Sequence, residues 1–296
     1  MNERLTTFIQ LIISAAALCL VVAAGLLSIY RAPSPARQPA AAETFPLQPQ
    51  ALAAEAAIVY DPGSKQVLFS KNDEEQLPLA SLTKLMTADV ALGERSATSS
   101  VRISRAAIAT EGDSGLKAGE TWKLGELLRY SLLVSSNDGM AAVAESGGGG
   151  AFIKKMNANA ERLGLAQSYF LDPTGLDMTL GVSGAYGSAR DVALLAAAFY
   201  ASHPSIFEST VRTGAAYEAG GGVLTGKPTA TPILDIPGLI GAKTGYTDLA
   251  GGNLVAVFDR SIGHPLVAVV LHSTEKGRFE DIRALIEAAR SSADRT

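Results

Sequence analysis

The sequence is poor in the residues that carry most metal and redox chemistry. It has a single cysteine, Cys19, so no disulfide can form within the chain and no cysteine-rich metal site can be built from it. Its three histidines, His203, His264 and His272, are scattered. None belongs to an H-E-x-x-H pair, which argues against a zinc hydrolase and leaves no metal or cofactor to expect. Lysine and arginine form no block, and a formal net charge of -4 gives no electrostatic case for nucleic acid. Charge is missing altogether from residues 8–30, FIQLIISAAALCLVVAAGLLSIY, where Gln10 is the most polar side chain. That run is long enough to span a bilayer as a helix. Two readings stay open. One is an uncleaved anchor, which fits the length better. The other is a signal segment cut near Ala40-Ala41-Ala42, far downstream. Leu18 stands where a lipidated cysteine would have a small residue, so Cys19 reads as a buried apolar side chain. Arg4 on one side and Arg31 and Arg37 on the other give no clear orientation.

What is present is enough for a large core: 296 residues, 47% of them hydrophobic, suffice for one large domain or two small ones. Residues 1–7 form a short tail, 8–30 the apolar segment, and 31–50 a tether rich in Pro, Ala and Gln with no apolar period. Residues 51–290 form the folded domain, and 291–296 a C-terminal tail. Residues 56–60 and 66–70 read as strands around a turn at 61–64. Helical patterns follow Ser81 and recur over 124–134, 139–145, 152–163 and 189–200. Residues 253–258 and 265–271 read as two more strands, and 280–290 as a closing amphipathic helix. With hairpins at both ends and helices between, the expected fold is α+β. Terminal strands share one antiparallel sheet, helices flank it, and an inserted helical lobe leaves a cleft.

The stretch PLASLTKLMTA, 78–88, begins like an ordinary helix, with Ser81 placed as a cap. Lys84 three residues on shares the helix face with Ser81, so an amine can lie beside the hydroxyl. An S-x-x-K spacing alone arises about once by chance in a chain of this size. Two further segments change its weight. SSND, 135–138, could cap the helix that follows it. Lys243-Thr244-Gly245, flanked by Gly241, could be a solvated lysine in a turn. Together the three stand in the order S-x-x-K, S-x-N, K-T-G, tens of residues apart, which is the described pattern of penicillin-binding proteins and class A β-lactamases.

From about Ala56 to about Ile286 the chain resembles the serine D-Ala-D-Ala carboxypeptidases, the low-molecular-weight penicillin-binding proteins of the β-lactamase/transpeptidase-like superfamily. PLASLTKLMTA resembles that family's signature around its nucleophile, LLVSSNDGMAAVAE its second motif, and FIKKMNANAERLGL and SARDVALL stretches typical of the branch. Class A β-lactamases carry E-x-x-L-N after the second motif. The corresponding region here has Asp172 and Asp177 but no such motif.

The resemblance implies residues 51–290 as the catalytic domain, with Ser81 as the nucleophile on the carbonyl between two terminal D-alanines. A serine hydroxyl needs a base, and Lys84 is the candidate, kept neutral by burial and by the cation of Lys243. Ser135 would relay a proton to the departing amine, and Asn137 would hold Lys84 while binding a substrate amide. Lys243 and Thr244 would hold the terminal carboxylate, with Gly245 leaving room for substrate along an edge strand. The backbone N–H groups of Ser81 and Tyr246 would form the oxyanion hole. Arg278, in EKGRFED, aligns with an arginine near the carboxylate pocket; the alternative is a surface charge paired with Glu280 or Asp281. Thr174 replaces a histidine that some relatives carry, and GKPTATPIL lacks an asparagine common before the third strand.

The implied partners are peptidoglycan stem peptides ending in D-Ala-D-Ala, β-lactams, and the membrane through the N-terminal segment. The implied location is the cytoplasmic membrane with an extracytoplasmic catalytic domain, or secreted or periplasmic if the segment is cut. A β-lactamase or D,D-endopeptidase on the same fold, and a non-catalytic peptidoglycan or penicillin sensor, are the competing functions.

Overall fold

The structure, a computed structural model, describes residues 45–219 and 222–292. The apolar segment 8–30, most of the tether and the last four residues lie outside the described residues. Among those described, no helix is long and apolar enough to cross a membrane.

The elements that place the site are β1 (Ala56–Asp61), β2 (Gln66–Lys71), α1 (Thr83–Glu94), α2 (Leu124–Val134), α3 (Asn137–Ser146), α4 (Gly150–Leu163), α5 (Ala189–Ser202), β3 (Leu239–Thr247), β4 (Gly251–Asp259), β5 (Pro265–Ser273) and α6 (Gly277–Ser291). The five strands form one antiparallel sheet in the order β3-β4-β5-β1-β2. The chain's first and last strands meet at its centre, with Val59 opposite Ala268. This is the terminal-strand sheet expected from the sequence, with the helical lobe supplied by the residues between.

Both faces of the sheet are covered, and the two-residue period of a strand decides which side chain faces which layer. Val255, Val257, Val267 and Val269 join the core shared with α1, α2 and α5. Leu254, Ala256, Phe258, Ala268 and Val270 join a second core with Ile282, Leu285 and Ile286 of α6. Buried on both faces, these strands read as near-continuous apolar runs. Residues Thr83 to Ala91 of α1 are all buried, as expected of a helix at the centre of the lobe. Phe45, in the stretch that composition marks as tether, lies against Phe69 with ring centroids 5.2 Å apart.

The strand β3 departs from its local signals. Gly241 and Gly245 favour a turn, yet residues 239–247 run as an edge strand paired along β4, with Lys243 opposite Val255. Tertiary packing overrides the weak β-propensity of glycine here. At Gly241 a Cβ would come within 2.5 Å of Phe207, so the glycine fits a close approach rather than a bend.

Candidate active site

Ser81 lies in a single 3-10 turn, Ala80–Leu82, that leads directly into α1. It does not cap the helix: the N-cap position falls on Leu82, without a side-chain bond. The hydroxyl that closes the turn is that of Thr83, which donates to the Ala80 carbonyl at 2.7 Å. Ala80 has φ +47°, in the left-handed region that costs a residue with a Cβ about 1 kcal/mol or more. Several contacts hold this turn. Leu79 N–H donates to the Ala185 carbonyl at 3.0 Å, and Asn253 Nδ2 donates to the Pro78 carbonyl at 2.9 Å. Gly175 and Gly245 press against it from two sides. A Cβ on Gly175 would sit 1.9 Å from the Ala80 oxygen, and one on Gly245 would sit 3.1 Å from Ser81 N.

Lys84 is fully buried. Its Nζ lies 2.7 Å from Ser81 Oγ, 2.6 Å from Asn137 Oδ1 and 2.8 Å from the Thr174 carbonyl oxygen. None of the three is a carboxylate. A neutral amine has two N–H donors and one lone pair. With the two donors taken by Asn137 and Thr174, the lone pair is left to accept from Ser81. Burial brings the Lys84 pKa down to about 7, against partial opposition from the charges of Asp172 and Asp138. Burial, one of the two causes expected, is the dominant one. The repulsion appears on Lys243, held well below the ordinary lysine range by burial first, then by Lys84 and Arg278.

The SSND segment divides its tasks. Ser136 is the cap of α3, accepting from Gly139 N–H at 2.8 Å, which frees Ser135 and Asn137. Ser135 closes α2 in the left-handed conformation, φ 62° and ψ 38°, and its Oγ accepts from Lys243 Nζ at 2.8 Å. Asn137 donates from Nδ2 to the Glu111 carbonyl at 2.8 Å. With Oδ1 on Lys84, its amide is fixed and one N–H is unused by these two bonds.

Lys243, also fully buried, spends its other bond on the Thr244 carbonyl at 2.6 Å. Strand alternation aims Lys243 at the lobe and places Thr244, with Ala242, on the α6 side. The lack of a side chain at Gly245 lets β3 pack closely on the Ser81 turn. Tyr246 continues the strand opposite Gly252, its side chain 47% exposed. Arg278 is not a surface charge. It is buried near the start of α6, donates from Nη1 to the Gly245 carbonyl at 2.6 Å, and lies 4.8 Å from the Phe279 ring centroid. Asp281, three residues on, is engaged elsewhere, by Ala53 N–H, Ala54 N–H and Ser273 Oγ.

The structure thus joins Ser81, Lys84 and Asn137 directly, Ser135 through Lys243, and Arg278 through Gly245, with Thr244 and Tyr246 flanking that glycine on β3. Sequence reasoning missed the groups that hold these in place. Thr174 acts through its backbone, which no side-chain motif reports. Asn253 links Pro78 to His272 N–H, which donates to its Oδ1 at 2.8 Å. A lone buried asparagine inside the apolar run of β4 was the available signal.

The sequence profile of the D-alanyl-D-alanine carboxypeptidase family, peptidase S11, matches residues 42–275. The D-alanyl-D-alanine carboxypeptidase DacF of Bacillus subtilis is 32% identical over 249 residues, 80% of this chain; the match spans 62% of that relative's length. The crystal structure of a D-alanyl-D-alanine carboxypeptidase from Mycobacterium tuberculosis is 30% identical with a TM-score of 0.71, covering 81% of this chain and 89% of that one. Penicillin-binding protein D2 of Listeria monocytogenes in its ampicillin-bound form is 29% identical with a TM-score of 0.67, covering 80% and 98%. Matched from the first sheet strand to the last and keeping its serine and lysine segments gathered at one edge strand, the chain belongs to the D-alanyl-D-alanine carboxypeptidase family.

Proposed function

We propose that this protein is a serine D,D-carboxypeptidase that removes the terminal D-alanine from peptidoglycan stem peptides through an acyl-enzyme on Ser81. The observation that carries the proposal is the Lys84 amine, buried without a carboxylate partner among the described residues and 2.7 Å from Ser81 Oγ. Ser81 Oγ attacks the carbonyl carbon as its proton passes to Lys84 Nζ. The carbonyl oxygen becomes an anion held by the N–H groups of Ser81 and Tyr246. The C–N bond then breaks, and the amine of the departing D-alanine takes, through Ser135, the proton that Lys84 gained, which leaves Lys84 neutral. Water attacks the acyl-enzyme with Lys84 again as base, which releases the shortened peptide and restores Ser81. Arg278 supplies positive charge, and Lys243 and Thr244 hydrogen-bond donors, for the substrate's terminal carboxylate.

The N-terminal apolar segment, in this reading, tethers a catalytic domain outside the cytoplasmic membrane, where this substrate is found. Its support is the 23-residue uncharged run at 8–30.

The test is to label the full chain with fluorescent penicillin beside Ser81→Ala, and to assay D-alanine release from a D-Ala-D-Ala-terminated stem peptide. Labelling lost in Ser81→Ala together with D-alanine release is expected. Rapid penicillin turnover would mark a β-lactamase. Cleavage of cross-linked peptides alone would mark an endopeptidase, and binding without product a sensor; each outcome would displace the proposal.

A further inference from the structure

Lys84 is served by two backbone-anchored acceptors, and one of them depends on a carboxylate. The carbonyl that Lys84 meets at 2.8 Å belongs to Thr174, on the loop between the short strands Tyr169–Phe170 and Asp177–Thr179. Asp172 organises that loop. Its Oδ1 accepts from Thr174 N–H at 2.7 Å, from Gly175 N–H at 2.9 Å, and from the Thr174 hydroxyl. The loop has no slack toward the nucleophile turn, because Gly175, at φ +81°, already lies against the Ala80 carbonyl. One turn along α1, Thr87 Oγ1 donates to the Pro173 carbonyl at 2.6 Å, so α1 grips both carbonyls that follow Asp172.

We propose that Asp172 is a positioning residue for the general base: its carboxylate locks the turn that presents the Thr174 carbonyl to Lys84, and its charge sets how readily Lys84 gives up a proton. The inference rests on the reading of Lys84 as the base of Ser81. The charged groups that act on Lys84 are few. Asp172 and Asp138 favour its cation, and Lys243, whose own ammonium Lys84 disfavours, stands across the site. Asp138 is buried and bound to the hydroxyls of Ser114 and Ser136. Asp172 therefore opposes burial, holding Lys84 close to the pH at which it must both take and return a proton. An asparagine at 172 would keep an oxygen for the two N–H groups and remove the charge. An alanine would remove both.

The experiment compares wild type, Asp172→Ala, Asp172→Asn and, as a charge control at the strand that ends the loop, Asp177→Asn, all in the full chain. Asp177 is engaged on β3's side of the loop, by Thr247 Oγ1 at 3.0 Å and Leu249 N–H at 3.3 Å. The rate of Ser81 acylation by fluorescent penicillin is followed from pH 5 to 9, together with the thermal midpoint. Asp172→Ala is expected to lower the plateau rate by about 10- to 100-fold. Asp172→Asn should restore the plateau to within a few fold, and both should move the acid limb down by about half a pH unit or more. Asp177→Asn should leave the limb in place. If Asp172→Ala does not fold, the limb of Asp172→Asn decides. An unmoved limb in Asp172→Asn, or an equal displacement in Asp177→Asn, overturns the proposal. A readout independent of turnover is the 13C chemical shift of the Lys84 Cε against pH in the same proteins. If wild type fails to acylate, the reading of Ser81 fails, while this titration still decides the role of Asp172.

Discussion

Acidification should switch off acylation of Ser81 with a midpoint near pH 7. The perturbation is pH alone, and the magnitude follows from the site of Lys84. A free lysine titrates near 10.5, and this buried one near 7. That difference corresponds to about 5 kcal/mol against the cation. A free lysine would be neutral in only about one molecule in 3,000 at pH 7, whereas half of the buried amines are. The sign is fixed by the chemistry. The neutral amine is the base, so the rate should be maximal above about pH 8 and fall about tenfold per unit below about pH 6. The assay is the second-order rate of labelling by fluorescent penicillin from pH 5 to 10, with far-UV circular dichroism to show that the fold persists. Lys84→Arg, whose guanidinium remains cationic, should lose about 100- to 10,000-fold at every pH. A rate that stays flat to pH 5, or one still climbing at pH 10, would refute the assignment of Lys84 as a buried neutral base.

Stability should carry the same signature. Because the folded pKa of Lys84 lies below that of the unfolded chain, the unfolded state holds more protons between about pH 7 and 10.5, and this group makes stability rise with pH across that window. Relative to Lys84→Met, wild type should gain about 2 kcal/mol between pH 7 and 9 in urea unfolding. In Gly245→Ala the new Cβ would lie 3.0 Å from the Leu79 carbonyl and 3.1 Å from Ser81 N, so acylation should slow by about tenfold or more with only a modest drop in thermal midpoint. Asn253→Leu removes the partly buried bonds to the Pro78 carbonyl and from His272 N–H. It should cost about 1–3 kcal/mol in urea unfolding and slow acylation, because the chain entering the Ser81 turn loses its anchor.

The elements most legible in the sequence were those whose pattern matches one partner layer. Residues 124–134 carry a clean helical period, and α2 occupies the same residues. The closing helix begins at Gly277 rather than 280, because Thr274 Oγ1 accepts from Gly277 N–H at 2.8 Å and starts the turn early. The hairpin of Ala216–Ala219 with Gly222–Thr225 was missed. Its alanines and glycines carry little strand signal, and its support comes from Tyr217 packing on Tyr130, with ring centroids 5.5 Å apart.

The sequence by itself determined the chemistry available: which hydroxyls, amines and amides exist, their order, and their spacing on one helix or one turn. The i, i+3 step from Ser81 to Lys84 is a property of the helix start and needed no fold to be seen. Tertiary structure alone decided the rest. It left Ser81 without a capping role on α1 and made Ser136 the cap of α3. It also set Lys243, 108 residues away, against Ser135 and buried both lysines so that one can be neutral near pH 7. The physical reason is that a proton's affinity depends on solvent exclusion and on charges from distant segments, and only the packed chain sets those.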